Sequence, residues 1–134
     1  MRWAFAALIV AAGCSLTPIP DVSSKWSPDC ADAERLCQKP FTLAYSNQTS
    51  VELRGNFKAG GWQMGVPMTR DAGEWEAAVT VGWGSDVQYK FYVDGTTWVL
   101  DPANSATVPD GNGNTNSIVR MVTCDQWACD AGSN

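Results

Sequence analysis

Residues 88–116 concentrate side chains that can bind a polyhydroxylated ligand. Trp98 offers a flat apolar indole face, and the ammonium group of Lys90 can donate hydrogen bonds to hydroxyls. An asparagine-rich loop follows, with amide side chains at Asn104, Asn112, Asn114 and Asn116. An aromatic face with a few convergent polar groups is typical of a small-molecule site. The pattern predicts a binding site for a sugar-like ligand.

A β-hairpin is predicted to bring Lys90 and Trp98 onto one face. Apolar residues alternate along its first strand, at Val87, Tyr89, Phe91 and Val93. This alternation gives the strand one buried face and leaves Lys90 on the other. Asp94 and Gly95 tolerate positive φ in a tight reversal, and residues 97–100 return as the second strand. Lys90 and Trp98 are therefore expected near each other on the solvent-exposed face.

Composition excludes several other kinds of site. The 134 residues include 14 Asp and Glu against 9 Lys and Arg, so no basic stripe is available for phosphates and nucleic acid is not an expected partner. The chain contains no histidine, which removes His-based acid–base, triad and metal chemistry. We expect no cofactor. A chain of this length has room for one domain with tails.

Two sets of acidic residues resemble functional motifs but fit them poorly. Glu74 and Glu76 could suggest a glycosidase, which needs two carboxyl groups about 5 to 10 Å apart, but on a strand they share a solvated face. The segment from Asp110 looks like a calcium loop. It has Thr115 where the sharp turn needs Gly, and Met121 where the bidentate Glu is required. We therefore expect neither an enzyme nor a metal site.

Further alternating segments predict an all-β fold. Strands are expected at 41–45, 51–57, 74–81 and 117–122, with Trp75 in the core. Short strands, frequent turns and almost no helix predict an immunoglobulin-like antiparallel β-sandwich of the early-set type. Two other tryptophans are ambiguous. In the loop KAGGWQMG, Trp62 could plug the end of the sandwich or form a ligand platform, and Trp83 could extend the binding surface or cover the sandwich edge.

Four segments in order carry a resemblance to a known family: VELRGNFKAGGW, PMTRDAGEWEAAVTV, YKFYVDGTTWVLDPAN and VPDGNGNTNSIV. From about Phe41 to Val122, the chain closely resembles the glycogen-binding type of domain. That family includes the starch-binding modules of branching and debranching enzymes, known as carbohydrate-binding module family 48. It also includes the β subunit of the AMP-activated kinase.

The resemblance implies non-catalytic binding of an α-glucan. Trp62 and Trp98 would stack on glucose rings, and Lys90 and Asn116 would hydrogen-bond sugar hydroxyls. Asn112 stands near the loop tip where a family member inserts a hydrophobic side chain, so a polar contact would replace an apolar one. The family motif FNGW is expanded here to FKAGGW. The insertion and Asn112 favour an alternative, a structural or protein-interaction lipoprotein that keeps the fold without sugar binding and has an envelope protein as partner.

The N-terminus predicts export and a lipid anchor. Arg2 precedes an apolar run, and residues 1–13 have the layout of an export signal too short to span a bilayer. The segment AAGCS resembles a bacterial lipoprotein box, which implies lipidation of Cys14. An ordinary signal peptide cut nearby is the alternative. We expect a protein held by lipid in the bacterial cell envelope, at the outer membrane or the cell surface.

The other cysteines are expected to form two disulfides in an oxidising compartment. They are Cys30, Cys37, Cys124 and Cys129. Ser27-Pro28-Asp29 resembles a helix start, and a continuous helix would hold Cys30 and Cys37 about 10 Å apart, too far to pair. This favours Cys37–Cys124 and Cys30–Cys129. If the first and last strands of such a sandwich run parallel, local pairs become the better arrangement. A zinc site is the third alternative, although neither pair has CxxC spacing.

These expectations divide the chain into four parts. The signal peptide takes 1–13, and the lipidated cysteine, a Pro- and Ser-rich tether and a short helix take 14–39. The β-sandwich takes 40–122, and a cysteine-containing tail takes 123–134.

Overall fold

The computed structural model describes residues 28–130, which form two antiparallel β-sheets. A single 3₁₀ turn, Asp32–Glu34, precedes the strands. The strands are β1 (Arg35–Ala44), β2 (Val51–Gly55), β3 (Val66–Pro67), β4 (Thr69–Asp71), β5 (Glu74–Gly82), β6 (Val87–Val93), β7 (Thr97–Val99), β8 (Thr107–Pro109), β9 (Thr115–Val119) and β10 (Ala128–Cys129). One sheet has the order β10-β1-β5-β4, and the other has the order β3-β2-β6-β9-β8, with β7 also paired to β6. No helix in this part of the chain is long and apolar enough to cross a membrane.

The core lies between the two sheets, as the alternating patterns predict. Tyr89 and Phe91 of β6 are 1% and 0% exposed, and Leu53 of β2 is 0% exposed. Across the interface, the ring of Phe41 on β1 packs edge-on against Tyr89 with a centroid distance of 4.5 Å. Trp75 of β5 is buried, as predicted, and its indole N–H donates to Gln48 Oε1 at 3.2 Å. The chain is therefore an immunoglobulin-like β-sandwich.

The hairpin formed by β6 and β7 has the predicted turn. Asp94 and Gly95 have φ values of 52° and 67°, and the N–H of Thr96 donates to Val93 O at 3.1 Å. Positive φ at both central positions matches the right-handed twist of the two strands. The carboxylate of Asp94 also accepts the backbone N–H of Thr49 at 2.7 Å. The turn is thus fixed both by its own backbone and by the loop before β2.

The N-terminal segment differs from its prediction. The expected helix through Cys37 is reduced to the 3₁₀ turn, and β1 begins at Arg35. The physical reason is tertiary. Residues 36–44 of β1 pair with β5, and this pairing buries Cys37, Phe41 and Leu43. The stabilisation from pairing and burial outweighs a weak local preference for helix. Pro40 is tolerated because β10 covers only the first two residues of β1, so the rest of β1 is an edge strand.

The two disulfides join this segment to the C-terminal one. Cys30 pairs with Cys129 and Cys37 with Cys124, with Cα–Cα distances of 6.1 and 5.8 Å. This is the connectivity that the sequence analysis favoured. It arises because β10 runs antiparallel to β1, which places Cys129 opposite Arg35.

An aromatic cluster covers the same end of the sandwich. The rings of Trp83 and Trp127 meet edge-on at 5.4 Å, and the guanidinium carbon of Arg35 lies 5.2 and 4.3 Å from their centroids. The indole N–H of Trp127 donates to Pro28 O at 2.9 Å. Of the two predicted alternatives for Trp83, the structure shows the covering one. Cys14 and the signal sequence lie outside the described residues.

Candidate functional site

Trp62, Trp98, Lys90 and Asn116 line one cavity on the outer face of the β3-β2-β6-β9-β8 sheet. The cavity has a volume of about 310 Å³. The ring centroids of Trp62 and Trp98 lie 6.4 Å apart, and their planes meet at 49°. Trp98 is 45% exposed and Trp62 is half-buried. Four of the five predicted binding residues are therefore brought together, and two indoles form an open clamp.

The hairpin sets the position of Trp98. In the register of β6 and β7, Trp98 lies directly opposite Tyr92, and the two ring centroids are 4.8 Å apart. Tyr92 is itself fixed, because its hydroxyl donates to Gly95 O at 2.6 Å in the turn. Cross-strand aromatic pairs of this kind hold each other's rotamers. The indole face of Trp98 is thus presented by a rigid support.

A glycine-rich loop lying on β2 sets the position of Trp62. A side chain at Gly61 would collide with the carbonyl oxygen of Gly55, so the loop can approach β2 only because this residue lacks a Cβ. The N–H groups of Gln63 and Met64 both donate to Gly60 O, at 3.0 and 2.9 Å. The expanded loop therefore still places its tryptophan on the sheet face, beside Trp98.

Arg54 connects the two tryptophans, a role that the sequence analysis missed. Its guanidinium carbon lies 3.9 Å from the ring centroid of Tyr92 and 5.3 Å from that of Trp98. Its Nη1 donates to the backbone carbonyl of Trp62 at 3.4 Å. Its Nε and Nη2 both donate to Glu52 Oε2, at 3.0 and 2.6 Å. One side chain that is 15% exposed thus buttresses both sides of the clamp.

The polar groups of the cavity come from β6 and β9. Lys90 is half-buried and lies opposite Arg54 in the strand register, so two cations sit side by side on this face. Asn116 is only 6% exposed, and its amide Nδ2 donates to Gln88 Oε1 at 3.1 Å. Asn116 therefore lies at the floor of the cavity, oriented by Gln88. Alternation along β6 indicates that Gln88 shares this face, but only the pairing of β6 with β9 places it beside Asn116.

The loop between β8 and β9 is organised by Asp110. Its Oδ1 accepts the backbone N–H groups of Asn112 and Asn114 at 2.7 and 3.0 Å, and its own N–H donates to Asn114 O at 2.9 Å. The hydrogen bond from the Asn112 N–H is the main cause that holds the pKa of Asp110 below its usual value. Desolvation opposes this shift, and the bonds from Asn114 and the charge of Lys90 add to it. Asp110 and Asn114 both line the tryptophan cavity. Asn114 belongs to the asparagine-rich loop that was predicted at the site, whereas Asp110 was not predicted there.

Asn112, the fifth predicted residue, stands apart from the clamp. It is exposed and lines a neighbouring cavity of about 400 Å³ rather than the one between the tryptophans. Within residues 28–130, no group of three or more His, Cys, Asp or Glu side chains could hold a metal ion.

A larger cavity of about 450 Å³ opens between β1 and β9, near Tyr89, Asp101 and Asn104. Its polar groups bond to one another. The Tyr89 hydroxyl donates to Asp101 Oδ2 at 2.6 Å, and Asn104 Nδ2 donates to Tyr89 Oη at 3.1 Å and to Ile118 O at 2.9 Å. Burial, reinforced by Asp101, raises the pKa of Tyr89. This network closes the sandwich edge, and Asn104 belongs to it rather than to the tryptophan cavity.

A rigid β-sandwich that presents two indoles beside amide and ammonium groups defines a carbohydrate-recognition module. Comparison with family models agrees with this class. The model described as the glycogen recognition site of AMP-activated protein kinase matches residues 39–126. The chain belongs to this family of non-catalytic carbohydrate-binding modules.

Comparison with solved structures shows the same fold in larger proteins. The enterobactin esterase of Shigella flexneri, solved in the presence of 2,3-dihydroxy-N-benzoyl-serine, is 15% identical with a TM-score of 0.52, over 66% of this chain and 30% of that chain. The enterochelin esterase from Shigella flexneri is 16% identical with a TM-score of 0.54, over 66% of this chain and 31% of that one. The match thus spans about a third of those esterases. No curated protein matches the chain.

Proposed function

We propose that this chain binds an α-glucan, such as glycogen, starch or a maltooligosaccharide, in the cavity between Trp62 and Trp98. The observation that carries the proposal is the clamp itself: two indole centroids 6.4 Å apart, inclined at 49°, open onto Lys90 and Asn116 in one cavity. Family membership supports the same ligand class.

The chemistry of the cavity suits a neutral sugar ring. The apolar faces of a glucose ring stack on the two indoles, and the equatorial hydroxyls meet groups at the edge of the clamp. Lys90 donates to hydroxyl oxygens, while the amide of Asn116 both donates and accepts. Each such hydrogen bond replaces one to water and contributes only about 1 kcal/mol net, so affinity for a short oligosaccharide is expected to be weak.

The same cavity is poorly equipped for catalysis, which supports a binding role. Among the residues that line it, Asp110 supplies the one carboxylate. Glycoside hydrolysis uses a pair of carboxyl groups across the scissile bond. Asp110 is also committed to its own loop through two backbone N–H groups. We therefore propose a module that holds glucan without cleaving it.

We further propose that the module is anchored in the bacterial cell envelope through a lipid on Cys14, at the outer membrane or the cell surface. The export-type segment before Cys14 motivates this proposal, and the two disulfides fit an oxidising compartment. Metabolic labelling with a tagged fatty acid is expected to mark the chain and to leave a Cys14→Ser variant unmarked. Labelling of both chains, or of neither, would contradict the anchor.

Calorimetry and tryptophan fluorescence with maltoheptaose and β-cyclodextrin test the glucan proposal. The wild-type protein is expected to bind both sugars saturably, and Trp98→Ala is expected to lose binding because one wall of the clamp is gone. Trp83→Phe is the matched control, since it removes an indole at the end of the sandwich and keeps an aromatic ring there. If the folded wild-type protein ignores both sugars at millimolar concentration, the proposal fails and the face becomes a candidate protein-binding surface.

A further inference from the structure

The cavity between the tryptophans continues into a second one. The neighbouring cavity of about 400 Å³ shares three lining residues with it, Trp62, Asp110 and Asn116. Because the same side chains face both spaces, the two cavities meet along the line from Trp62 to Asp110. Together they form a groove across β6 and β9 rather than one isolated depression.

The second cavity differs from the first in its chemistry. Its own lining residues are Gln63, Gln88, Pro109 and Asn112. These provide amides and one proline ring, whereas the first cavity provides two indoles and an ammonium. Gln63 is exposed and its side-chain amide makes no hydrogen bond to another residue of the described segment. The second cavity is therefore suited to hydroxyl groups along a chain rather than to tight stacking of one ring.

Asp110 occupies the junction of the two cavities. Its Oδ1 accepts two backbone N–H groups from the loop, but a carboxylate has about four acceptor positions in its two oxygens. The same hydrogen bonds keep its pKa low, so it remains ionised at neutral pH. An ionised acceptor held rigidly between two cavities forms stronger hydrogen bonds to hydroxyl donors than a neutral one does.

We propose that the two cavities are one groove for several consecutive glucan units, in which Asp110 accepts sugar hydroxyls at the junction and Gln63 contacts the chain beyond Trp62. This inference rests on the proposed glucan function and specifies its ligand: an oligosaccharide long enough to cover both cavities. A ligand limited to the tryptophan clamp leaves the second cavity empty and gains nothing from it.

Calorimetric titration of the wild-type protein with maltotriose and maltoheptaose tests the groove. The wild-type protein is expected to bind maltoheptaose about tenfold more tightly, which corresponds to one or two additional hydrogen bonds. Gln63→Ala is expected to reduce this ratio severalfold. Asp110→Asn, which preserves the shape and the loop-capping oxygen, is expected to weaken both sugars. Glu74→Gln, on the outer face of the other sheet, is the matched control and is expected to behave as wild type.

The outcomes separate the two proposals. Equal affinity of the wild-type protein for both sugars, or a Gln63→Ala ratio equal to that of wild type, overturns the groove and leaves glucan binding intact. Unchanged affinity in Asp110→Asn overturns the role of Asp110. Absence of binding to either sugar by the folded wild-type protein refutes the glucan function and the groove with it.

Discussion

The two disulfides are nested, and this predicts that their contributions to stability are strongly coupled. Cys30–Cys129 spans a sequence separation of 99 residues and encloses Cys37–Cys124, which spans 87. In the chain-entropy description, closing a loop of 99 residues alone stabilises the folded state by about 4.7 kcal/mol, and one of 87 residues by about 4.6 kcal/mol. Once one bridge is present, however, the second closes a much shorter loop.

The length of that shorter loop follows from the two separations, since 99 minus 87 leaves 12 residues. Closing about 12 residues contributes about 2.8 kcal/mol, so both bridges together contribute about 7.4 kcal/mol. Removing the outer bridge alone should therefore cost only about 2.8 kcal/mol, and removing the inner bridge alone about 2.7 kcal/mol. Removing both should cost about 1.9 kcal/mol more than the two single losses combined.

Packing adds a second difference between the bridges. Cys37 is 1% exposed, whereas Cys30 and Cys129 are half-buried. Replacing the Cys37–Cys124 pair by alanines also leaves a small cavity in the core, which lowers the free energy of unfolding by about 1 kcal/mol more. The variant that lacks Cys37–Cys124 should therefore be less stable than the variant that lacks Cys30–Cys129.

Urea unfolding of the wild-type protein, the two alanine pairs and their combination measures these free energies. The combined loss approaches the total stability of a small domain. The four proteins should therefore be compared in a series of trimethylamine N-oxide concentrations, because this osmolyte stabilises the folded state and keeps all four folded. A coupling near 2 kcal/mol is expected. Losses that add within about 0.5 kcal/mol would refute the nested-loop reasoning.

Three further predictions concern the clamp, the sheet beneath it and alkaline stability. Arg54→Met should weaken maltoheptaose binding about tenfold in calorimetry, because Trp98 loses a cation stacked on its face; unchanged affinity would show that the clamp needs no buttress. Gly55→Ala should destabilise the protein in urea unfolding by about 1 to 3 kcal/mol, because the new Cβ meets Gln88 O, whereas Gly82→Ala, with open space around it, should be neutral; equal effects would contradict this. Tyr89 has a pKa raised above its ordinary value of 10.0, so its contribution to stability is present below pH 10 and is lost above it as the unfolded chain ionises first. At pH 11 the free energy of unfolding is lower by about 1.4 kcal/mol for this reason. The Tyr89→Phe variant is less stable at neutral pH, but urea unfolding at pH 8 and at pH 11 should not show this further loss.

Much of the sandwich was predictable from sequence because its strands are long enough to show a period. The alternation in β5 and β6 indicated which side chains are buried, and Asp94-Gly95 indicated the hairpin, since few residues tolerate positive φ. The two- and three-residue strands β3, β4, β8 and β10 were not predicted, because such short segments have no measurable period and exist only where a neighbour supplies hydrogen bonds. The same reason explains β1 before Phe41, whose partner β5 is distant in sequence.

The candidate site was also predictable only in part. Local pattern was enough to predict that Trp98 and Lys90 share the outer face of one hairpin, because a period of two and a tight turn are local properties. Trp62 and Asn116 were assigned through resemblance, and local pattern alone left Trp62 ambiguous. That Trp62 and Asn116 meet the hairpin residues depends on the order of the strands: β6 lies between β2 and β9 in the sheet, although these strands are far apart in the chain.

The side chains that support the site also depend on which strands are neighbours. Arg54 reaches Trp98 because β2 and the hairpin pack side by side, and Gln88 orients Asn116 because β6 pairs with β9. Sequence fixes the faces on which such side chains lie, since alternation is a property of one strand. It does not fix which strands are neighbours, and contacts across neighbouring strands are what turn two tryptophans into a clamp.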